Sequence, residues 1–135
     1  MDAEDLKQRT KKFALRVLKL VDALPNSTQG RVVGNQLVRA GTAVGSNYRA
    51  ACRGRSRAEF VAKLGTVEEE ADETAFWLEL IIEGSLLKRQ LVEPLLNEAN
   101  ELTRIMASSR ITAKLNANSG RMKIDNRQSA IENQQ

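Results

Sequence analysis

Phe60, Leu64, Val67, Ala71, Thr74, Leu78 and Ile81 recur at alternating steps of four and three residues. That is the spacing of one face of an α-helix packed lengthwise on other helices; a strand, whose side chains alternate every second residue, cannot hold these positions on one side. The seam makes this segment the spine of a helical bundle. It begins at a sharp joint, Arg53-Gly54-Arg55-Ser56-Arg57. Ser56 and Glu59 have the S-x-x-E spacing of a capping box, in which the serine oxygen accepts from the Glu59 N–H and the glutamate accepts from the Ser56 N–H. Gly54 stands where a helix end is expected to turn left-handed. One helix therefore ends near Arg53, another starts at Arg57, and three arginines are left on an exposed elbow.

Three further helices follow from the same periodicity. In the first, Leu6, Thr10, Phe13, Val17, Leu20 and Leu24 share a side, and Pro25-Asn26 ends the run. Arg9, Lys12, Arg16 and Lys19 form a basic stripe on a neighbouring face of that helix, which is roughly 30 Å long at 1.5 Å per residue. The second, from about Ser27 to Arg53, turns Val33, Leu37, Ala40, Val44, Tyr48 and Ala51 inward. Gly34, Gly41 and Gly45 lie within it, each costing about 1 kcal/mol relative to alanine, which predicts the close approach of another helix. The fourth is expected to start near Glu93 with Pro94 in its first turn, to place Leu95, Ala99, Leu102 and Met106 on the core side, and to fade after Ser108-Ser109.

Charge is segregated along the chain. Residues 1–57 hold 12 Lys/Arg against 4 Asp/Glu, residues 58–101 hold 3 against 11, and residues 102–135 hold 6 against 2. A basic surface of this kind attracts phosphates, and the opposed signs also permit contacts between helices or subunits. Aromatic residues are scarce, being Phe13, Tyr48, Phe60, Phe76 and Trp77. Base stacking has few candidates, so the expected mode of nucleic-acid binding is driven by charge and shape.

Catalytic and metal-binding chemistry finds little purchase. Histidine is absent, which excludes histidine-dependent triads, zinc-protease helices and Glu-x-x-His di-iron sites. Glu68, Glu69, Glu70, Asp72 and Glu73 are dense enough that Glu69 and Glu73, one turn apart, offer a Mg²⁺ site for a nuclease, but no second acidic set matches them. Acidic runs on helices are usually solvated or paired with arginine, which is the favoured reading of the cluster. The glycines at 30, 34, 41 and 45 lack the Gly-Lys-Ser/Thr ending of a phosphate loop. Ser46, Ser56 and Thr66 have no partner base, and the lone Cys52 reads as a small reduced filler. No apolar run spans a bilayer, and Met1-Asp2-Ala3-Glu4-Asp5 is acidic where a signal peptide is basic, so the expected location is cytoplasmic.

The third segment becomes apolar nearly all round at its end. Phe76, Trp77, Leu78, Leu80, Ile81 and Ile82 leave only Glu79 and Glu83 polar over two turns, more than one small bundle covers. Phe76, Trp77, Leu80 and Ile81 are therefore the expected subunit interface.

Gln36-Leu37-Val38-Arg39-Ala40, Ser46-Asn47-Tyr48-Arg49, Glu59-Phe60-Val61-Ala62-Lys63-Leu64-Gly65 and Glu69-Glu70-Ala71-Asp72-Glu73-Thr74-Ala75-Phe76-Trp77-Leu78 together resemble the four-helix-bundle proteins encoded by intervening sequences in bacterial 23S rRNA genes. These are similar to the accessory protein of diversity-generating retroelements. The resemblance runs from about residue 10 to about residue 112. It implies a homo-oligomer, most often a pentameric barrel, in which a modest basic patch becomes a ring. The positions matching Glu70, Glu73, Trp77 and Leu78 recur in the family pattern, which implies structural pairing of these acids with arginines such as Arg39 or Arg49. One departure is Asn47-Tyr48-Arg49-Ala50-Ala51, where a common family form has Asn-Tyr-Arg-Glu-Ala, so an acid that could pair with an arginine is missing.

The expectation is an all-α, antiparallel up-down four-helix bundle over residues 1–115 with a disordered polar tail over 116–135, weakly basic through Arg121, Lys123 and Arg127. It assembles into a cyclic homo-oligomer, needs no cofactor or metal, and carries no catalytic residues. Arg9, Lys12, Arg16, Lys19, Arg49, Arg53, Arg55 and Arg57 are the expected nucleic-acid contacts, with structured RNA first and DNA second. The rivals are a scaffold that binds only protein and a metal-dependent nuclease built on the acidic cluster.

Overall fold

The computed structural model describes the backbone of residues 1–133 and the side chains of residues 1–116 and Asn118. Four helices follow one another: α1 (Ala3–Asp22), α2 (Thr28–Cys52), α3 (Arg57–Glu83) and α4 (Arg89–Asn133). The connections are only a few residues long, so neighbours run antiparallel. Helix α3 packs between α2 and α4, α1 lies along α2, and a lighter α1–α4 contact closes the bundle.

The first three helix starts are written in the sequence. Asp2 and Asp5 cap α1 reciprocally, and the Ser27 side chain accepts from the Gly30 N–H at the start of α2. Ser56 accepts from the Glu59 N–H at 3.1 Å, as its spacing predicts. The other half of that box differs: the Glu59 carboxylate reaches the Arg55 N–H at 3.2 Å, one residue beyond the expected Ser56. Its longer reach pins the elbow as well as the helix.

Two helix ends depart from expectation. Gly54 does not turn left-handed; no glycine among the described residues has positive φ. It is small because a Cβ there would lie 3.0 Å from the Ala51 carbonyl and 3.4 Å from the Phe60 nitrogen. The left-handed residue is Ser85, φ 57°, after α3. There the Leu86 N–H donates to Ile81 at 2.9 Å and the Ser85 N–H to Ile82 at 3.1 Å, the two bonds of a Schellman cap. Helix α4 begins at Arg89 rather than near Glu93, which puts Pro94 inside the helix. Pro94 cannot donate to the Gln90 carbonyl, and both residues are exposed, so water can take the missing partner's place.

The core is the set the periodicities select. Leu6, Thr10, Phe13 and Val17 of α1, and Leu37, Ala40, Val44, Tyr48 and Ala51 of α2, are buried. So are Leu64, Val67, Ala71, Thr74, Leu78 and Ile81 of α3, with Leu95, Ala99, Leu102 and Met106 of α4. Val92 and Ala113 extend the α4 face at both ends, so packing outlasts the point after Ser108-Ser109 where the pattern fades. The backbone of α4 runs on as helix to Asn133 through the stretch expected as a polar tail, whose side chains, apart from Asn116 and Asn118, lie outside the described residues. Thr10 and Thr74 bury their hydroxyls by donating to the Leu6 and Glu70 carbonyls at 2.8 and 2.7 Å. Burial, then a hydrogen bond with the Cys52 thiol, pushes the Tyr48 phenol well above its ordinary range.

The glycines of α2 explain how closely α1 sits. A Cβ on Gly41 would lie 2.7 and 2.9 Å from the two γ-carbons of Val17, and one on Gly45 would lie 3.2 Å from the Thr10 carbonyl oxygen. One on Gly34 would meet Leu24 and Val21, both at 3.3 Å. As α2 advances its partners on α1 recede, which is the antiparallel register. Gly65 on α3 is different, since its nearest neighbour would be the Arg110 side chain at an ordinary 3.7 Å. Gly65→Ala is therefore expected to raise stability by about 0.5–1 kcal/mol through helix propensity, whereas Gly41→Ala lowers it by roughly 1–3 kcal/mol through overpacking against a buried valine. Urea unfolding midpoints of the two variants check the opposite signs.

Candidate nucleic-acid interface

The eight cations expected to face nucleic acid divide into one structural residue and seven surface residues. Arg9 belongs to the bundle. Its Nε donates to Glu98 at 2.8 Å and its Nη2 to the other Glu98 oxygen at 2.6 Å, with Glu101 2.9 Å away, and its side chain is only 22% exposed. Hydrogen bonds donated to Glu98 and then to Glu101 hold the guanidinium charged by raising its pKa. A bidentate pair of this geometry ties α1 to α4 and leaves no fork for a phosphate. Arg9 is thus a correction to the expected set.

Lys12, Lys19, Arg49, Arg53, Arg55 and Arg57 are exposed and Arg16 is half-exposed. Among the described residues none of these seven makes an ion pair, whereas Arg9, Arg39 and Arg110 all do. Lys12, Arg16 and Lys19 follow one face of α1. Arg55 and Arg57 mark the elbow after α2.

Arg49 and Arg53 stand elsewhere, on the wall of a groove of about 500 Å³ between α1 and α2. Lys7 and Lys11 form the opposite wall, with Gly45 and Ser46 between and Glu4 at the rim. Glu4 is only loosely shared, 3.9 Å from the Lys7 ammonium and 3.3 Å from the Gln8 amide. The stripe read from α1 alone misses Lys7 and Lys11. Their signal lies across two helices, in basic residues one turn apart on α1 facing basic residues one turn apart on α2.

The acidic cluster is largely occupied. Arg39 donates to Glu70 at 3.3 Å and also pairs with Glu73, whose carboxylate lies 3.4 Å from the Trp77 indole nitrogen. The acids are thus paired by Arg39 rather than Arg49. Glu68 accepts from Arg110 at 3.0 Å across α3 and α4. Glu73, one half of the Glu69–Glu73 pair weighed as a Mg²⁺ site, therefore already serves as a partner to Arg39. Among the described residues no three His, Cys, Asp or Glu side chains converge as metal donors would.

The expected subunit interface splits in a similar way. Phe76 is 50% and Leu80 38% exposed, one helical turn apart, and Trp77 is half-buried with its ring edge-on to Phe76 at 5.1 Å. Ile81 is fully buried against its own chain and cannot reach a second copy, because its place in the four-three seam points it into the core. Among the described residues no helix is long and apolar enough to cross a membrane.

No curated protein matches the chain. A crystal structure of a protein of unknown function from the S23 ribosomal protein family of Bacteroides thetaiotaomicron is similar, with 34% identity and a TM-score of 0.73. The likeness covers 78% of this chain and 97% of that one. The family model for 23S rRNA-intervening sequence proteins matches residues 4–108, and the chain belongs to that family.

Proposed function

We propose that this protein is a non-catalytic, homo-oligomeric binding module for nucleic acid, with structured RNA as its principal ligand. The observation that carries the reading is the state of the cations: Lys12, Arg16, Lys19, Arg49, Arg53, Arg55 and Arg57 have no ion-pair partner among the described residues and none is buried. Such side chains release condensed counterions when they meet phosphates. Aromatic side chains are missing from this set, so contact is with the backbone and sequence preference is small.

Oligomerisation multiplies this modest patch. Phe76 and Leu80 form an apolar stripe on α3 that a second copy would cover, and a closed ring, of five copies as the family resemblance implies, repeats the basic surface around an axis. Several weak phosphate contacts then act together.

Light scattering is expected to give a mass several times the 15.0 kDa of one chain. Phe76→Glu/Leu80→Glu reduces it to a single chain with helical content unchanged. A monomeric wild type contradicts the interface.

Anisotropy titration of a labelled structured RNA is expected to show at least a tenfold loss of affinity between about 50 and 200 mM salt. Lys12→Glu/Arg16→Glu should weaken binding and lower the log–log salt slope by about two. An intact oligomer that binds no RNA at low salt contradicts the nucleic-acid reading and favours a scaffold for protein.

A further inference from the structure

The α1–α2 groove differs from the other basic surfaces in having cations on two facing walls. Lys7 and Lys11 rise from α1, and Arg49 and Arg53 from α2, each pair separated by one helical turn, about 6 Å along its helix. Gly45 and Ser46 keep the floor low between them. Gly45 has a second reason to be small, since a Cβ there would lie 3.2 Å from the Thr10 carbonyl oxygen. Close approach of the helices thus draws the two basic walls together.

We propose that this groove seats the phosphodiester backbone of a single nucleic-acid strand. The inference rests on the nucleic-acid reading above and specifies which form of the ligand this part of the surface takes. Helices in contact have axes about 8–10 Å apart, so the furrow between them has room for one backbone. An RNA duplex, a rigid A-form rod whose two backbones are wound about stacked base pairs, is too broad to enter such a furrow and meets only its rims. Four cations around two turns of helix match consecutive phosphates that follow the furrow, with the arginine forks on one side and the flexible ammonium groups on the other. Single-strand grooves that grip bases add aromatic platforms. This one has none in its lining, so the bases point outward and remain unread. The sole carboxylate in the lining, Glu4, stands where a phosphate would displace it from its 3.9 Å contact with Lys7.

The test is anisotropy titration of the full chain with two labelled probes, an oligouridylate and a blunt RNA duplex of equal phosphate count. Lys11→Gln/Arg49→Gln is expected to weaken oligouridylate binding about tenfold and to lower its log–log salt slope by about 1.4, two phosphate contacts at roughly 0.7 each. Duplex binding changes less than about twofold. Ser46→Leu, which fills the floor without altering charge, is expected to give the same selective loss. Arg55→Gln/Arg57→Gln, outside the groove, should weaken both probes alike. Equal weakening of both probes by the groove variants, or no weakening, overturns the groove assignment while leaving the general nucleic-acid reading in place. Failure of the wild type to bind either probe overturns both.

Discussion

The basic groove of this protein is arranged by how closely α2 lies against α1. Gly41 and Gly45 remove the two side chains that would hold the helices apart, so the Val17 side chain and the Thr10 carbonyl fill that space instead. Each glycine sacrifices helix propensity, and the sacrifice is recovered only if the contact forms. The contact sets the register of α1, and through Arg9 that register carries α1 onto Glu98 and Glu101 of α4. It also sets the distance between Lys7 and Lys11 on one helix and Arg49 and Arg53 on the other. Packing and surface electrostatics are therefore one problem here.

The two signs of charge are used differently. On α3, Glu68, Glu70 and Glu73 are taken up by arginines from α4 and α2, which locks the bundle laterally. On α1, α2 and the elbow, seven cations are left facing solvent without such partners among the described residues. A protein stabilised only by its own ion pairs would have little reason to leave one sign over in one half of the fold. The surplus is a partner-facing surface in the proposed function, and the half-exposed aromatic pair on α3 supplies the means of repeating it.

Much of this was legible in the residues themselves. Four helices, their starts at Ser27 and Ser56 and most of the core follow from apolar periodicity and capping chemistry, which are local. The glycines of α2 announce a close neighbour for the same reason. What escapes local reading depends on a second element. Arg9 looks like the other members of its stripe until α4 brings Glu98 and Glu101 beside it. Lys7 and Lys11 become a wall only when α2 stands opposite. Ile81 belongs both to the four-three seam and to the apolar run, and the bundle shows that the seam decides: it fills the core while Phe76 and Leu80 stay out. Gly54 and Ser85 exchange roles, since the αL position after α3 falls on a serine whose neighbours Leu86 and Ile81 complete the cap. Pro94 suggests the first turn of α4, yet the helix starts at Arg89, because the Gln90 carbonyl that the proline cannot pair is exposed and open to water.

The central claim is that the α1–α2 face meets nucleic acid while the far corner of the bundle does not. The most direct measurement is lysine acetylation footprinting of the full chain with and without a structured RNA, resolved by mass spectrometry. Protection is expected at Lys7, Lys11 and Lys12, with unchanged reactivity at exposed Lys88, in the connection between α3 and α4. Protection at Lys88 with Lys7, Lys11 and Lys12 left reactive would contradict that claim.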